Sequence, residues 1–170
     1  MAAELRPYQQ AAREGVHDQW DSGRLRTLMV LPTGTGKTIV FAKITEDQVR
    51  AGDRVLILAH RGELLEQAAD KLRRATGLTS AMEKAEQSCL TAWNRVVVGS
   101  VQTLQRPQRL QQFDPGYFGT IIIDEAHHAV TDGYRRILDW FGDARVLGVT
   151  ATPDRGDMRN LGEVLSLIHI

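Results

Sequence analysis

The stretch Leu28-Met29-Val30-Leu31-Pro32-Thr33-Gly34-Thr35-Gly36-Lys37-Thr38 decides how the rest of this chain is read. A short apolar run enters a glycine-rich turn, and a helix-compatible segment running on to Arg50 leaves it. Gly34 and Gly36 let the backbone curl until successive N–H groups point at a single anion. The helix that begins near Gly36 adds the positive end of its dipole. Lys37 is placed to reach the β- and γ-phosphates of a nucleotide, and the Thr38 hydroxyl to ligate Mg²⁺. One position departs from the general phosphate-loop pattern: six residues before Lys37, where that pattern has glycine, stands Leu31. The competing reading, a glycine-rich turn before an ordinary amphipathic helix, does not account for Gly-Lys-Thr in a strand-to-helix slot.

Outward from this turn, four further apolar runs appear: Val55-Leu56-Ile57-Leu58, Val96-Val97-Val98, Ile121-Ile122-Ile123 and Val146-Leu147-Gly148-Val149. None alternates with polar residues, which is the pattern of strands covered on both faces. Helical candidates separate them over 36–50, 62–75, 101–112 and 134–141, and an amphipathic helix over 7–20 precedes the first strand. Leu64, Leu65, Ala68, Ala69 and Leu72 recur at helical spacing and form a buried stripe. This alternation predicts a three-layer α/β domain around a central parallel sheet of about five or more strands, with right-handed crossovers. Residues 76–94 are polar and small, and helix and loop are hard to separate there.

Composition narrows the class without naming it. The 170 residues are 42% hydrophobic and 25% charged, with 21 basic against 21 acidic side chains, so any nucleic-acid contact must come from a local patch. Collagen-like, disulfide-dense and strongly disordered classes are excluded. Cys89 stands alone and can form neither an internal disulfide nor a cysteine-based metal site. The first ten residues lack the apolar stretch of a signal peptide. The apolar runs are far shorter than the ~20 residues a membrane helix needs. The expectation is a cytoplasmic protein with no membrane segment.

Asp124-Glu125-Ala126-His127 follows the apolar run Thr120-Ile121-Ile122-Ile123. A carboxylate at the C-terminal end of a buried parallel strand stands where open α/β sheets bind ligands. Asp124 is placed to hold Mg²⁺, through water because that ion dehydrates reluctantly. Glu125 is the candidate general base for an attacking water. Two solvated acids at a strand end would be the plain alternative. The phosphate-loop pattern 87 positions upstream, from Lys37 to Asp124, argues against it. A zinc site at His127 and His128 is a poor reading, since adjacent histidines diverge and no third ligand stands at the required spacing.

Taken together, Thr33-Gly34-Thr35-Gly36-Lys37-Thr38, Asp124-Glu125-Ala126-His127 and Thr150-Ala151-Thr152 resemble the motifs of the DEAD/DEAH-box helicases of superfamily two. Leu5-Arg6-Pro7-Tyr8-Gln9 and Thr150-Ala151-Thr152-Pro153-Asp154-Arg155 look most like bacterial DNA helicases related to the type III restriction translocating subunit and the RadD-like repair proteins. The resemblance implies a RecA-like phosphate-loop NTPase domain, the first of two motor domains. It implies a sheet order of the Leu28 strand, then those of Val146, Ile121, Val55 and Val96. It implies ATP and Mg²⁺ as cofactors and nucleic acid, DNA above all, as partner. Gln9 matches the glutamine that reads adenine, with Arg6 or Tyr8 flanking the base and Gln10 as competitor. The phosphates fall to Thr33, Gly34, Thr35, Gly36, Lys37 and Thr38; the metal falls to Thr38 and Asp124; catalysis falls to Lys37, Asp124 and Glu125. Arg61, Ser100, Gln102 and Thr103 match positions that touch the sugar-phosphate backbone, although Ser100 could instead cap a helix and Arg61 pair with a carboxylate. His127, Thr150 and Thr152 match residues that couple nucleotide state to strand binding.

Residues 1–164 are therefore expected to form the helicase ATP-binding domain. The last six residues, Leu165-Ser166-Leu167-Ile168-His169-Ile170, are what a transposon adapter used in DNA library preparation encodes in one frame, and are expected to be a non-native tail. A natural apolar tail is the alternative. The second RecA-like domain, which supplies arginine fingers in such motors, is absent from this sequence. The fragment alone is thus expected to bind Mg-ATP weakly, hydrolyse it very slowly and move nothing. Two other classes stay open: another phosphate-loop NTPase, such as a small kinase or a transporter ATPase, and a nucleotide-binding module without turnover.

Overall fold

The structure, a computed structural model, describes residues 5–31, 36–60, 62–84, 94–124, 126, 131–150 and 166–169. The strands are β1 (Arg26–Val30), β2 (Val55–Ala59), β3 (Ser80–Glu83), β4 (Val96–Ser100), β5 (Thr120–Asp124), β6 (Arg145–Thr150) and β7 (Ser166–His169). They form one sheet in the order β3-β4-β2-β5-β6-β1-β7, every pairing parallel. The inner run β4-β2-β5-β6-β1 is the strand order that the family resemblance implies.

The apolar runs work as doubly covered strands. All five residues of β2 are buried, and alternate residues of each strand enter opposite cores. Leu28, Leu56, Leu58, Ile121 and Ile123 face one core, while Met29, Ile57, Val98, Ile122 and Val149 face the other. Helices α1 (Pro7–Asp21), α2 (Lys37–Arg50) and α3 (Gly62–Thr76) cover the second face with Ala12, Trp20, Phe41, Leu65 and Leu72. Helices α4 (Val101–Leu104), α5 (Pro107–Leu110) and α6 (Asp132–Trp140) cover the first with Leu104, Leu110, Ile137 and Leu138. This is the expected three-layer arrangement.

Two elements differ from the sequence expectation, each for a local reason. The helix expected over 101–112 is two single turns. Pro107 has no N–H to continue the first, and it holds Arg106 extended at φ −68° and ψ 125°. Within 76–94, β3 pairs with the outside of β4, Ser80 opposite Val96. A four-residue edge strand with half-exposed side chains carries no apolar run for sequence reasoning to find. Its last residue, Glu83, is buried and ion-paired to Arg109 of α5, which ties the sheet edge to the helical layer.

Ser166–His169, set aside from the fold in the sequence reading, pairs with β1 from Thr27↔Ser166 to Val30↔His169. That pairing concerns where these residues lie, not where they come from. At the opposite end of the strands, Gln48 Nε2 donates to Asp53 Oδ2 (3.2 Å) and to Thr120 Oγ1 (3.0 Å), and Thr120 Oγ1 donates to Asp53 Oδ2 (3.1 Å). This network fixes α2 against the entry to β2 and β5. It leaves the C-terminal ends of the strands free for chemistry.

Candidate nucleotide and nucleic-acid site

In an all-parallel sheet every strand delivers its following loop to the same edge. Register fixes the neighbours there: Val30 lies opposite Thr150, Asp124 opposite Val149, and Ala59 opposite Ser100. The edge therefore has two adjoining halves. One holds the ends of β1, β6 and β5, with the β1–α2 turn, Thr150 and Asp124. The other holds the ends of β2 and β4, with Arg61 two residues beyond Ala59 in sequence and with Ser100.

The first half is built around the start of α2. Gly36, the residue before Lys37, has φ 79° and ψ 32°, a left-handed conformation in which a side chain is strained. A Cβ here would also sit 2.4 Å from Gln9 Nε2, so glycine is required twice over. Gln9 is 3% exposed, and its amide is held at both ends: Oε1 accepts from the Arg6 N–H (2.8 Å) and Nε2 donates to the Gly36 carbonyl (3.4 Å). The candidate adenine reader thus touches the phosphate turn directly. Gln10, its competitor, instead donates to Glu14 Oε1 within α1 at 3.1 Å. Arg6 is exposed and Tyr8 half-buried.

Helix α1 is fastened to α2 by a clamp that sequence reasoning missed. Arg13 donates through Nε (2.7 Å) and its terminal nitrogen to the two oxygens of Asp47, and His17 bonds Asp47 at 2.9 Å. Burial pushes the Asp47 carboxyl pKa up, but the hydrogen bonds from Arg13 and His17 outweigh it and leave the pKa lowered. The hydrogen bond to Asp47 likewise raises the Arg13 guanidinium. Charged residues 34 positions apart offer no pattern by which to pair them from sequence.

The turn is also tied to its neighbour strand: the Leu31 N–H donates to the Thr150 carbonyl (3.0 Å). Thr150 is buried, Asp124 half-buried, and Thr38 half-buried in the first turn of α2. Lys37 begins that helix. Alternation along β5 sends Asp124 to the same face as Ile122, the face that carries α2.

On the nucleic-acid half, Ser100 is buried and makes no side-chain cap bond to α4, so the capping alternative is not realised. Thr103 is buried and Gln102 exposed in the same short helix. Helix α3 starts at Gly62, directly after Arg61. Thr33, Gly34, Thr35, Arg61, Glu125, His127 and Thr152 lie outside the described residues, as does the side chain of Lys37.

A three-layer parallel α/β domain with a glycine turn opening α2 and an acid at the end of β5, one strand removed from β1, defines the RecA-like class of phosphate-loop domains. Residues 2–155 match the family described as type III restriction enzyme, res subunit, and the chain belongs to that family. IRC3 of Saccharomyces cerevisiae, which carries the provisional name of an ATP-dependent helicase, is 37% identical over 96% of this chain and 26% of its own length. The DNA 3'-5' translocase XPB2 of Sulfurisphaera tokodaii is 30% identical over 91% of this chain and 32% of its own. Among solved structures, the Hef helicase domain of Pyrococcus furiosus superposes with a TM-score of 0.77 at 26% identity, covering 98% of this chain and 38% of that one. The chain thus spans about a quarter to a third of the length of these two relatives.

Proposed function

We propose that this chain is the ATP-binding first motor domain of a DNA-directed helicase or translocase, coupling Mg-ATP hydrolysis to movement along nucleic acid or to its unwinding. The observation that carries this reading is the joining of three elements at one strand edge. Gln9 is hydrogen-bonded to the turn that opens α2, and that turn is hydrogen-bonded through Leu31 to Thr150 of the strand beside Asp124. The names of the relatives, an ATP-dependent helicase and a DNA translocase, agree with it.

In this reading the backbone amides of Thr33 to Thr38 cradle the phosphates, and Lys37 neutralises the outer two. Thr38 and Asp124 offer the hard oxygen donors that suit Mg²⁺, and the left-handed Gly36, a conformation glycine adopts freely, suits a turn whose amides converge on a phosphate. When bound, the ion supplies neutralisation of the β,γ-oxygens. Glu125 takes the proton of a water that attacks the γ-phosphorus, as the bond to the β-phosphate oxygen breaks. Gln9, held in place by Arg6 and Gly36, offers the second N–H and the second lone pair of its amide to the adenine edge. Arg61, Ser100, Gln102 and Thr103 hold sugar-phosphate groups without reading bases. Thr150, with His127 and Thr152, passes the state of the nucleotide to that surface. A cytoplasmic location belongs to the same reading, as does the foreign origin of residues 165–170.

The test is a titration of this chain with Mg-ATP, followed by ATPase assays with and without duplex DNA and with the second motor domain of a relative fused after residue 164. Binding by the chain alone, with DNA-stimulated turnover only in the fusion, is expected. Absence of Mg-ATP binding, or turnover in the isolated chain as fast as in the fusion, would contradict it.

A further inference from the structure

With 21 basic and 21 acidic side chains, this chain can meet an anionic polymer only where cations gather without acids. Arg106 and Arg136 do so. Both are exposed, and neither forms an ion pair among the described residues, whereas Arg109 next to them is bound to Glu83. The two meet at one peptide: Arg136 donates to the Gln105 carbonyl (2.9 Å), and the same peptide carries the nitrogen of Arg106. That bond uses one of the five N–H groups of a guanidinium. Helix α6 is pressed onto this spot, since a Cβ on Gly133 would sit 2.2 Å from Gln105 Oε1. Pro107 fixes the other side by holding Arg106 extended between α4 and α5. Asp132 stands one turn before Arg136 yet forms no ion pair with it, and its place in the first turn of α6 suits the helix dipole. The corner adjoins the strand end that carries Ser100, because exposed Gln102 lies one helical turn before Arg106. Helix α6 runs back against the strands, with only 141–144 between its end and β6, so its first turn points towards their C-terminal ends.

We infer that Arg106 and Arg136 form a phosphate-holding patch for nucleic acid, which carries the path from Ser100 and Gln102 around the α4–α5 corner onto α6. The occupant is the sugar-phosphate backbone of a duplex. Planar guanidinium forks match phosphate oxygens and read no base, so the patch adds affinity without sequence preference. Two like charges drawn to one peptide repel each other, and a bound phosphate relieves that repulsion. This rests on the nucleic-acid part of the reading above and extends it beyond the residues named there.

The experiment follows the anisotropy of a short fluorescent DNA duplex titrated with the 170-residue chain at a series of salt concentrations, beside the melting temperature of each variant. Arg106→Ala and Arg136→Ala are each expected to weaken binding severalfold at low salt. Each should also lower the slope of log affinity against log salt by about one, the counterion release of one phosphate contact. The double variant should lose about two, and Arg136→Lys, which keeps the charge, should recover the slope. Arg24→Ala, an exposed arginine at the opposite end of the strands, should keep the slope of the wild type. Arg136→Ala gives up the bond to Gln105, so a lowered melting temperature there leaves Arg106→Ala and Arg136→Lys to decide. An unchanged slope in Arg106→Ala, or an equal fall in Arg24→Ala, overturns the inference alone. A poly-glutamate peptide that binds as tightly as the duplex through the same two arginines also overturns it, and assigns the patch to an acidic protein. A wild-type chain that binds no duplex at the lowest salt overturns the nucleic-acid reading and this inference with it.

Discussion

Gln9 and Gly36 show how much of the site rests on single atoms. The amide of Gln9 fills the space that any side chain at position 36 would need, so the two residues are legible as a pair only in three dimensions. From sequence, Gln9 is one polar residue on an amphipathic helix, and Gly36 one glycine of a motif 27 positions away. Gly36→Ala must adopt a left-handed backbone and displace Gln9, so its affinity for ATP should drop by more than tenfold, with a stability loss of about 1–3 kcal/mol. Equilibrium titration and urea unfolding check both. Gln9→Glu removes the donor to the Gly36 carbonyl and puts a negative charge beside it. Preference for ATP over GTP should fall by about tenfold, read by competition binding.

At the scale of elements, the apolar runs were legible because a strand buried on both faces needs little besides β-branched and aliphatic residues. The elements that escaped are those whose signal is weak or lies in the partner. Edge strand β3 is short and half-exposed, and the helix expected across 101–112 breaks because Pro107 outweighs the apolar spacing. The clamp between α1 and α2 is likewise a property of the packed pair. It sets where Gln9 stands relative to the turn, so loosening it should weaken nucleotide binding without touching any group that contacts the ligand. Asp47→Asn should cost about 1–3 kcal/mol at neutral pH, since Arg13 keeps its charge and loses its charged partner. Because the Asp47 pKa is lowered on folding, its contribution is fully present above the ordinary carboxylate value of 3.8 and fades as pH falls through the lower folded value. Urea midpoints of wild type and Asp47→Asn, compared at pH 7 and pH 3, should differ at the first and converge towards the second.

At the scale of the whole molecule, the seven strands of the described residues form one sheet whose C-terminal edge carries the candidate site residues and whose opposite end is sealed. The sealed end is the Gln48–Asp53–Thr120 network, into which a Cβ at Gly119 would project 2.6 Å from the Asp53 side chain. Gly119→Ala should therefore destabilise the fold by about 1–3 kcal/mol while leaving nucleotide affinity per folded molecule unchanged, a separation that thermal melting and binding together can establish. In the proposed reading, the nucleotide-binding and nucleic-acid-binding halves of the edge meet between β5 and β2, where Leu58 lies opposite Ile123. What a single domain cannot supply is the opposing wall of an ATP cleft. The chain spans about a quarter of the length of IRC3, and the reading proposed above predicts that binding and turnover separate in it. The strand order was legible once the family motifs were recognised. The placement of Ser166–His169 beside β1 was not, since their residues carry no motif. The most direct measurement of the central claim is calorimetric titration of ATP into the wild-type chain, Lys37→Ala and Asp124→Asn, each with saturating Mg²⁺ and in EDTA. A triphosphate held by the α2 turn and bridged to β5 through the ion predicts that Lys37→Ala loses binding in both conditions and Asp124→Asn loses only the Mg²⁺-dependent part; a Lys37→Ala chain that binds as the wild type does would contradict it.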